Sequence, residues 1–225
     1  MNNLKNNFFI FLALIFCGFL SFAQGTFFLD SNGVTVKCTG CVAGNTGTVG
    51  GVTYTAVDDS TIDSTADGDW DTIVTTLVTD MSNLFKDEAT FNEDISSWDT
   101  SSVTTMSYMF HRAFIFNQPL NNWDTSKFNA FLGMFASGAS FDQDISSWDT
   151  TGFTTTAAGN DFFTTSGLST ANYDALLIGW SAQAVIPSTN FNFGTAQYTL
   201  GGAAEAARNT LINTYGWTIT DGGGI

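Results

Sequence analysis

Phe91-Asn-Glu-Asp-Ile-Ser-Ser-Trp-Asp-Thr100 decides how this chain folds, because close copies of it follow at a fixed interval. The copies begin 25 and 50 residues later: Phe116-Asn-Gln-Pro-Leu-Asn-Asn-Trp-Asp-Thr125 and Phe141-Asp-Gln-Asp-Ile-Ser-Ser-Trp-Asp-Thr150. A second block recurs at the same step as Met81-Ser-Asn-Leu-Phe85, Met106-Ser-Tyr-Met-Phe110 and Phe131-Leu-Gly-Met-Phe135. A period of roughly 20 to 29 residues is typical of stacked repeats of the leucine-rich type.

The apolar residues within one copy predict its local structure. One set has the i, i+3, i+6, i+7 spacing of a helical stripe: Val103, Met106, Met109 and Phe110. Asp99 to Ser102 precede it with side chains suited to capping a helix start. A second set falls in an extended segment: Phe116, Leu120 and Trp123. The prediction is an α/β fold, a short leucine-rich-repeat-like solenoid of parallel strands and short helices whose apolar columns form one core.

The repeated pattern Phe-Asn-x-x-Ile-x-x-Trp-Asp-Thr-Ser-x-Val-Thr-x-Met-Ser-x-Met-Phe resembles the BspA-like leucine-rich repeat family of bacterial surface proteins. The resemblance is strongest from Val78 to Thr155. It implies a secreted or surface location and a role in adhesion to proteins, and it implies no chemistry.

Both ends of the chain have signals of their own. A hairpin with a type I′ turn is expected at Asn32-Gly33, and a second strand pair should turn at Gly50-Gly51. One helix is expected from Ser169 through Trp180, and another from Ala203 to Tyr215, followed by a closing strand over residues 217–220. The predicted divisions are a signal peptide (1–23), an N-terminal β cap (24–72), the repeats (73–163) and a C-terminal cap of helix and strand (164–225).

The first 23 residues predict export. Lys5 provides the positive start, Phe8 to Leu20 is apolar, and Ser21-Phe22-Ala23 fits a cleavage site, which together are the layout of a secretory signal peptide. Lipidation at Cys17 is disfavoured because Phe16 precedes it within the apolar run. We therefore expect a secreted or cell-surface protein with no membrane span after cleavage.

The net charge of the chain limits the classes of partner that it can bind. After loss of Lys5, five basic and 21 acidic residues remain, a net charge of −16. Nucleic-acid binding needs clustered Lys and Arg, so this class is excluded. The expected partner is an extracellular protein or glycan, the expected state is a monomer, and no cofactor is expected.

Cys38 and Cys41, in Cys-Thr-Gly-Cys, are the cysteines that remain after cleavage. An exported setting favours a local disulfide between them, or two idle thiols, over a redox motif. A zinc site would need two further ligands, and His111 is the only histidine in the chain.

Two acidic clusters and the single histidine are candidates for metal binding or catalysis. Asp99, Asp124 and Asp149 recur in a row, as a calcium site or a glycosidase pair would require, but Asp is also a preferred helix N-cap, and we favour capping. The acidic residues around Gly68 lack the EF-hand spacing and are interpreted as a solvated loop: Asp63, Asp67, Asp69 and Asp71. His111 has no identifiable partner for a catalytic triad. The chain is therefore not expected to be an enzyme.

The exposed face of the predicted repeat strands is the part of the molecule left to carry the function. If Ile95, Leu120 and Ile145 point inward, their neighbours alternate outward and form a shallow polar strip on the concave side. The candidate binding residues are Asp94, Ser96, Asn121, Asp144 and Ser146. The hypothesis is a non-catalytic binding or adhesion module for protein or glycan partners. The alternatives are a structural spacer of a larger surface protein and a secreted glycan-active enzyme that uses paired carboxylates.

Overall fold

A computed structural model of the protein describes residues 24–130, 132–153, 161–165 and 167–225. Its strands and helices lie before residue 78 and after residue 169. The strands are β1 (Thr26–Leu29), β2 (Val36–Thr39), β3 (Thr46–Val49), β4 (Val52–Asp58), β5 (Ile73–Leu77), β6 (Asn190–Asn192) and β7 (Thr218–Thr220). The helices are α1 (Thr170–Ser181) and α2 (Ala203–Asn213), and two single 3₁₀ turns cover Ile62–Ser64 and Trp70–Thr72.

The first predicted hairpin is confirmed, but its turn is different. β1 and β2 pair antiparallel, with Thr26 opposite Thr39 and Leu29 opposite Val36. A two-residue type I′ turn would need positive φ at both central residues, whereas Gly33 (φ 74°) is the only residue of this connection with positive φ. The connection is longer, because the Asn32 Oδ1 accepts the amides of residues 34 and 35 and holds the loop open.

The second predicted strand pair is also confirmed. β3 and β4 pair antiparallel around Gly50-Gly51, whose φ angles of 60° and 90° are those of a type I′ turn. β5 then adds to β4 in parallel, with Thr55 opposite Ile73. The repeats begin directly after β5, which is an edge strand of this three-stranded sheet.

Overlapping turns, rather than a helix, form the apolar stripe of each copy. In the first copy the amides of Leu84, Lys86 and Glu88 donate to carbonyls three residues earlier, at 3.4, 3.0 and 3.2 Å. The alternate amides instead reach the next copy: Asn83 N–H donates to Ser107 O (3.0 Å) and Phe85 N–H to Met109 O (2.9 Å). We call these segments the first ribbon (81–88), the second ribbon (106–113) and the third ribbon (132–138).

The predicted leucine-rich-repeat-like solenoid of parallel strands and short helices is therefore wrong. Between residues 78 and 153, the described residues contain no helix and no strand, and the parallel pairing is limited to the single bridges Asp80–Thr105 and Thr105–Ala130. Amides committed to the next copy cannot make the i to i−4 bonds of a helix. Left-handed residues also interrupt each ribbon, at Asn83 (φ 64°), Tyr108 (59°) and Gly133 (59°). The fold is mixed, with antiparallel hairpins, one mixed sheet and few helices.

The copies nevertheless stack in register, because their aromatic rings form columns. Trp98, Trp123 and Trp148 lie nearly parallel at centroid distances of 6.3 and 6.5 Å. Two further columns consist of phenylalanines: Phe91, Phe116 and Phe141, and Phe85, Phe110 and Phe135. All of these side chains are buried, so the predicted continuous core of apolar columns is confirmed.

The repeated Trp-Asp-Thr motif provides the polar bonds between copies. Each indole N–H donates to a carbonyl of the preceding copy, Trp123 to Ile95 O (3.3 Å) and Trp148 to Leu120 O (3.1 Å). Thr100 and Thr125 donate their hydroxyls to the following copy, to Asp124 O (3.0 Å) and Asp149 O (3.2 Å), and Thr150 donates to the Gln183 side chain just after α1. Buried polar groups need such partners, which explains why the motif is repeated unchanged.

The C-terminal helices agree with prediction. Ser169 caps α1 by accepting the Asn172 amide, and α1 buries Tyr173, Leu176, Leu177 and Trp180. α2 ends two residues before Tyr215, and Gly216 follows with φ 68°. β7 pairs in parallel with β6, a strand that the sequence did not indicate. None of the described helices is long and apolar enough to cross a membrane.

Candidate functional site

The residues of the predicted strip lie in turns and not on a strand. Asp94, Asn121 and Asp144 are exposed, while Ser96 and Ser146 are partly buried. The Asp94 carboxylate accepts the Ser96 amide at 2.9 Å, and Asp144 accepts the Ser146 amide at the same distance. These two acids stabilise their own turns, and the proposed role of the strip in binding stays a prediction.

The row of aspartates also has a local structural role. Asp99, Asp124 and Asp149 each accept both the amide and the hydroxyl of the residue two positions later, with hydroxyl distances of 2.6 Å. They therefore cap turns, in place of the helix starts that they were predicted to cap. In the described part of the chain, no group of three His, Cys, Asp or Glu side chains is placed to hold a metal ion.

The remaining candidates, the two cysteines and the histidine, lie on different elements of the fold. Cys38 and Cys41 form a disulfide with their Cα atoms 5.9 Å apart, at the end of β2. His111 is partly buried beside the edge of the Tyr108 ring, 5.8 Å away. Burial and the neighbouring Arg112 lower the pKa of His111, so the imidazole is held toward its neutral form.

A cleft of 780 Å³ lies where the stack of copies begins, and we call it the end cleft. One wall is the acidic loop over residues 63–70, and the other is the first ribbon with the residues that follow it. The lining residues are Asp63, Thr65, Asp67, Trp70, Ser82, Asn83, Leu84, Phe85, Lys86, Glu88, Thr90, Phe91, Asn92 and Glu93. The sequence did not indicate this cleft.

Aromatic rings form the floor of the end cleft. Trp70 packs edge-on against Phe85 at 4.7 Å, and Phe85 stacks on Phe91 at 3.7 Å. Trp70 occupies the position that Ile95 and Leu120 hold in the later copies, 25 and 50 residues on. Its larger ring closes the beginning of the core. The Trp70 Nε1 is buried and has no hydrogen-bond partner among the described residues.

The wall made by the first ribbon is an open backbone edge. Within the stack, the carbonyls of Ser107, Met109 and His111 accept amides from the preceding copy. The equivalent carbonyls of the first ribbon belong to Ser82, Leu84 and Lys86, and no described residue donates a hydrogen bond to them. A cleft lined by unpaired acceptors at every second residue can accept another chain edge-on, as a free sheet edge does.

The rim of the end cleft is acidic. Its charged residues are Asp63, Asp67, Glu88 and Glu93 against Lys86, a formal charge of −3. Glu93 is held in place, because its Oε1 accepts the Gly68 amide at 2.8 Å. Asp63, Asp67 and Glu88 are exposed. Low-dielectric walls focus the potential of such a group of like charges, which favours a cationic partner.

One sequence feature could have located the end cleft. Trp70 stands where the repeat places Ile or Leu, and no copy of the Phe-Asn-x-x-Ile motif precedes it. A stack whose first copy has no predecessor must leave one edge without a partner unless a cap covers it.

Comparison with known proteins identifies a family. No curated protein and no solved structure shows significant similarity to the chain. A protein family described as "Mycoplasma protein of unknown function, DUF285" matches residues 55–172, more than half of the chain, including the end cleft and the three copies. The match carries nothing specific to BspA-like leucine-rich repeats, so that narrower assignment is not supported. The chain belongs to the DUF285 family.

Proposed function

We propose that this protein is an exported, non-catalytic binding module that recognises an extracellular protein or glycan through the end cleft. The observation that carries the proposal is the open edge of the first ribbon, where Ser82, Leu84 and Lys86 offer unpaired carbonyls inside a cleft. Unsatisfied acceptors beside an aromatic floor are groups that a ligand can pair with.

The polar residues considered for catalysis have structural partners instead. Each aspartate of the Asp99 row is bonded to a Ser or Thr two residues later. Such bonds fix carboxylates in turns, whereas a glycosidase needs two carboxyls that face one scissile bond. Binding is therefore the better-supported activity.

Export is proposed on the sequence alone. The predicted signal peptide, residues 1–23, lies outside the described residues. The net charge of the chain, −15, supports a partner that is not a nucleic acid.

The experiment is a binding screen with the chain that begins at Gln24, immobilised and exposed to extracellular matrix proteins and a glycan array. A cleft variant, D63N/D67N/E88Q, removes three exposed charges whose side chains accept no hydrogen bond from a described residue. The matched control is D94A/N121A/D144A on the predicted strip.

We expect the cleft variant to lose binding and the strip variant to keep it, with circular dichroism showing that both are folded. Loss of binding only in the strip variant would move the site to the strip. Absence of any partner in both panels, or turnover of a glycan, would overturn the proposal.

A further inference from the structure

We infer that the partner of the end cleft is a basic polypeptide segment that adds its backbone edge-on to the first ribbon. This inference rests on the proposed function and names the chemistry of its ligand. It follows from three features of the cleft: the spacing of its acceptors, the limits of its open edge and its charge.

The spacing of the acceptors matches a polypeptide backbone. The second ribbon presents the carbonyls of residues 107, 109 and 111, and the first ribbon fills them with amides of residues 83, 85 and 87. The carbonyls of Ser82, Leu84 and Lys86 repeat the same two-residue spacing. A segment that offers amides at every second position can therefore extend the stack by one more layer, as the first ribbon does on the second.

Asp59 limits where a segment can dock. In later copies the Thr104 amide donates to Thr79 O (2.9 Å), but the Thr79 amide has no preceding copy and donates to the Asp59 carboxylate at 2.6 Å. The second Asp59 oxygen accepts the Thr79 hydroxyl, also at 2.6 Å. The chain itself thus closes the start of the edge, and the part lined by Ser82 to Lys86 stays open. Three acceptors two residues apart, each met by every second amide of the partner, correspond to a segment of about five to seven residues.

A polypeptide supplies the donors that the open edge needs. The carbonyls of Ser82, Leu84 and Lys86 accept no hydrogen bond from a described residue, whereas the unpaired Trp70 Nε1 is buried. A polypeptide carries amide donors along its backbone, so it can satisfy these carbonyls.

Charge selects which polypeptide binds. The rim carries four carboxylates and one ammonium group, and three of the four carboxylates make no hydrogen bond with a described residue: Asp63, Asp67 and Glu88. A segment with Lys or Arg at alternate positions can place its amides on the edge and its cations against the rim. Because these charges are exposed, binding should weaken as salt rises.

The test uses the chain from Gln24 and a nine-residue capped peptide of alternating Lys and Val as the probe. Two matched peptides carry N-methyl groups at the even or at the odd amides, which removes the donors of one edge at a time. A fourth peptide has Glu in place of Lys. Binding is measured by fluorescence anisotropy at low and at physiological salt.

We expect one N-methylated peptide to bind about tenfold more weakly than the parent and the other to bind within about twofold of it. The Glu peptide should not bind, and D63N/D67N/E88Q should weaken the parent peptide but not its dependence on methylation. Equal affinities of the two methylated peptides would show charge attraction without backbone pairing and would overturn the inference.

The outcome also separates this inference from the proposed function. Binding of a glycan at the end cleft, lost in D63N/D67N/E88Q, with no binding of the peptides, would leave the proposed function and overturn the basic polypeptide. Absence of every ligand from the cleft would overturn both.

Discussion

The tryptophan column should contribute strongly to the stability of the fold, and replacing Trp123, its middle member, tests this. Trp123 is 4% exposed, stacks on Trp98 and Trp148 on its two sides, and donates its indole N–H to Ile95 O. Trp123→Ala removes both ring contacts and the hydrogen bond and leaves a void between two copies. Trp123→Phe keeps a ring in the column and removes the N–H together with part of the indole volume.

The magnitudes follow from these contacts. Replacing a buried Trp with Ala costs about 3–5 kcal/mol of unfolding free energy. Each lost aromatic pair contributes roughly 0.5–1.5 kcal/mol of that total beyond its buried area. We therefore expect a loss of about 4 kcal/mol for Trp123→Ala. For Trp123→Phe we expect about 1–2 kcal/mol, because the smaller ring leaves part of the indole volume empty and the Ile95 carbonyl keeps only the Trp98 amide as a donor.

The assay is urea unfolding of the chain from Gln24, followed by far-UV circular dichroism. Phe114 serves as the matched control, because it belongs to the second copy and is 46% exposed. Phe114→Ala should cost less than about 1 kcal/mol. The reasoning is refuted if Trp123→Ala loses no more stability than Phe114→Ala.

Further predictions concern the C-terminal cap. Asp142 Oδ1 accepts the Ser169 amide and the Asn172 side chain, so Asp142→Ala should loosen α1 and lower its unfolding free energy by about 1–2 kcal/mol, measured by urea titration. Burial raises the pKa of Asp142, but these hydrogen bonds outweigh burial and hold the pKa below its ordinary 3.8. The stabilisation by the ionised carboxylate is therefore complete above that value and is lost as pH falls through the folded-state pKa. The difference in unfolding free energy between wild type and Asp142→Ala should accordingly shrink below about pH 4. A difference that stays constant down to pH 2 contradicts this. Arg208→Ala should cost about 3 kcal/mol in thermal unfolding, because it leaves the buried Asp221 carboxylate without its cation 2.7 Å away, and a cost below 1 kcal/mol contradicts it.

The sequence predicted those elements whose signals are local. Gly50-Gly51 specifies a tight turn by itself, and Ser169 with the apolar face of Tyr173 and Trp180 specifies a capped helix. The interval of 25 residues predicted that rings of successive copies would meet, and they do. Each of these signals depends on a few neighbouring residues or on an exact repetition.

The structure inside a copy could not be predicted in the same way. Residues spaced three apart, such as Val103, Met106 and Met109, form one stripe on a helix and also on a series of overlapping turns. The choice between the two depends on whether alternate amides bond within the copy or to the next one, which is a property of the stack. The positive φ of Asn83 is common for its residue type, but that of Tyr108 is not, so no residue preference announces it.

The end cleft was missed for a related reason. Its acceptors are backbone carbonyls of Ser82, Leu84 and Lys86, which no side-chain motif marks. Asp63 and Asp67 looked like part of a solvated loop, because the sequence does not say that this loop faces an unpaired edge. The sites sought in the sequence were made of side chains, whereas this one is made by the end of a repeat.

Amide chemical-shift mapping tests the central claim most directly. The isotope-labelled chain from Gln24 is titrated with the Lys-Val peptide, and the Trp70 indole N–H is followed together with the backbone amides. Shifts concentrated in residues 63–70 and 82–93, with the Trp70 indole among them, are the result that binding at the open edge predicts. Shifts centred on Asp94, Asn121 and Asp144 with the Trp70 indole unmoved, or no shifts at all, would contradict it.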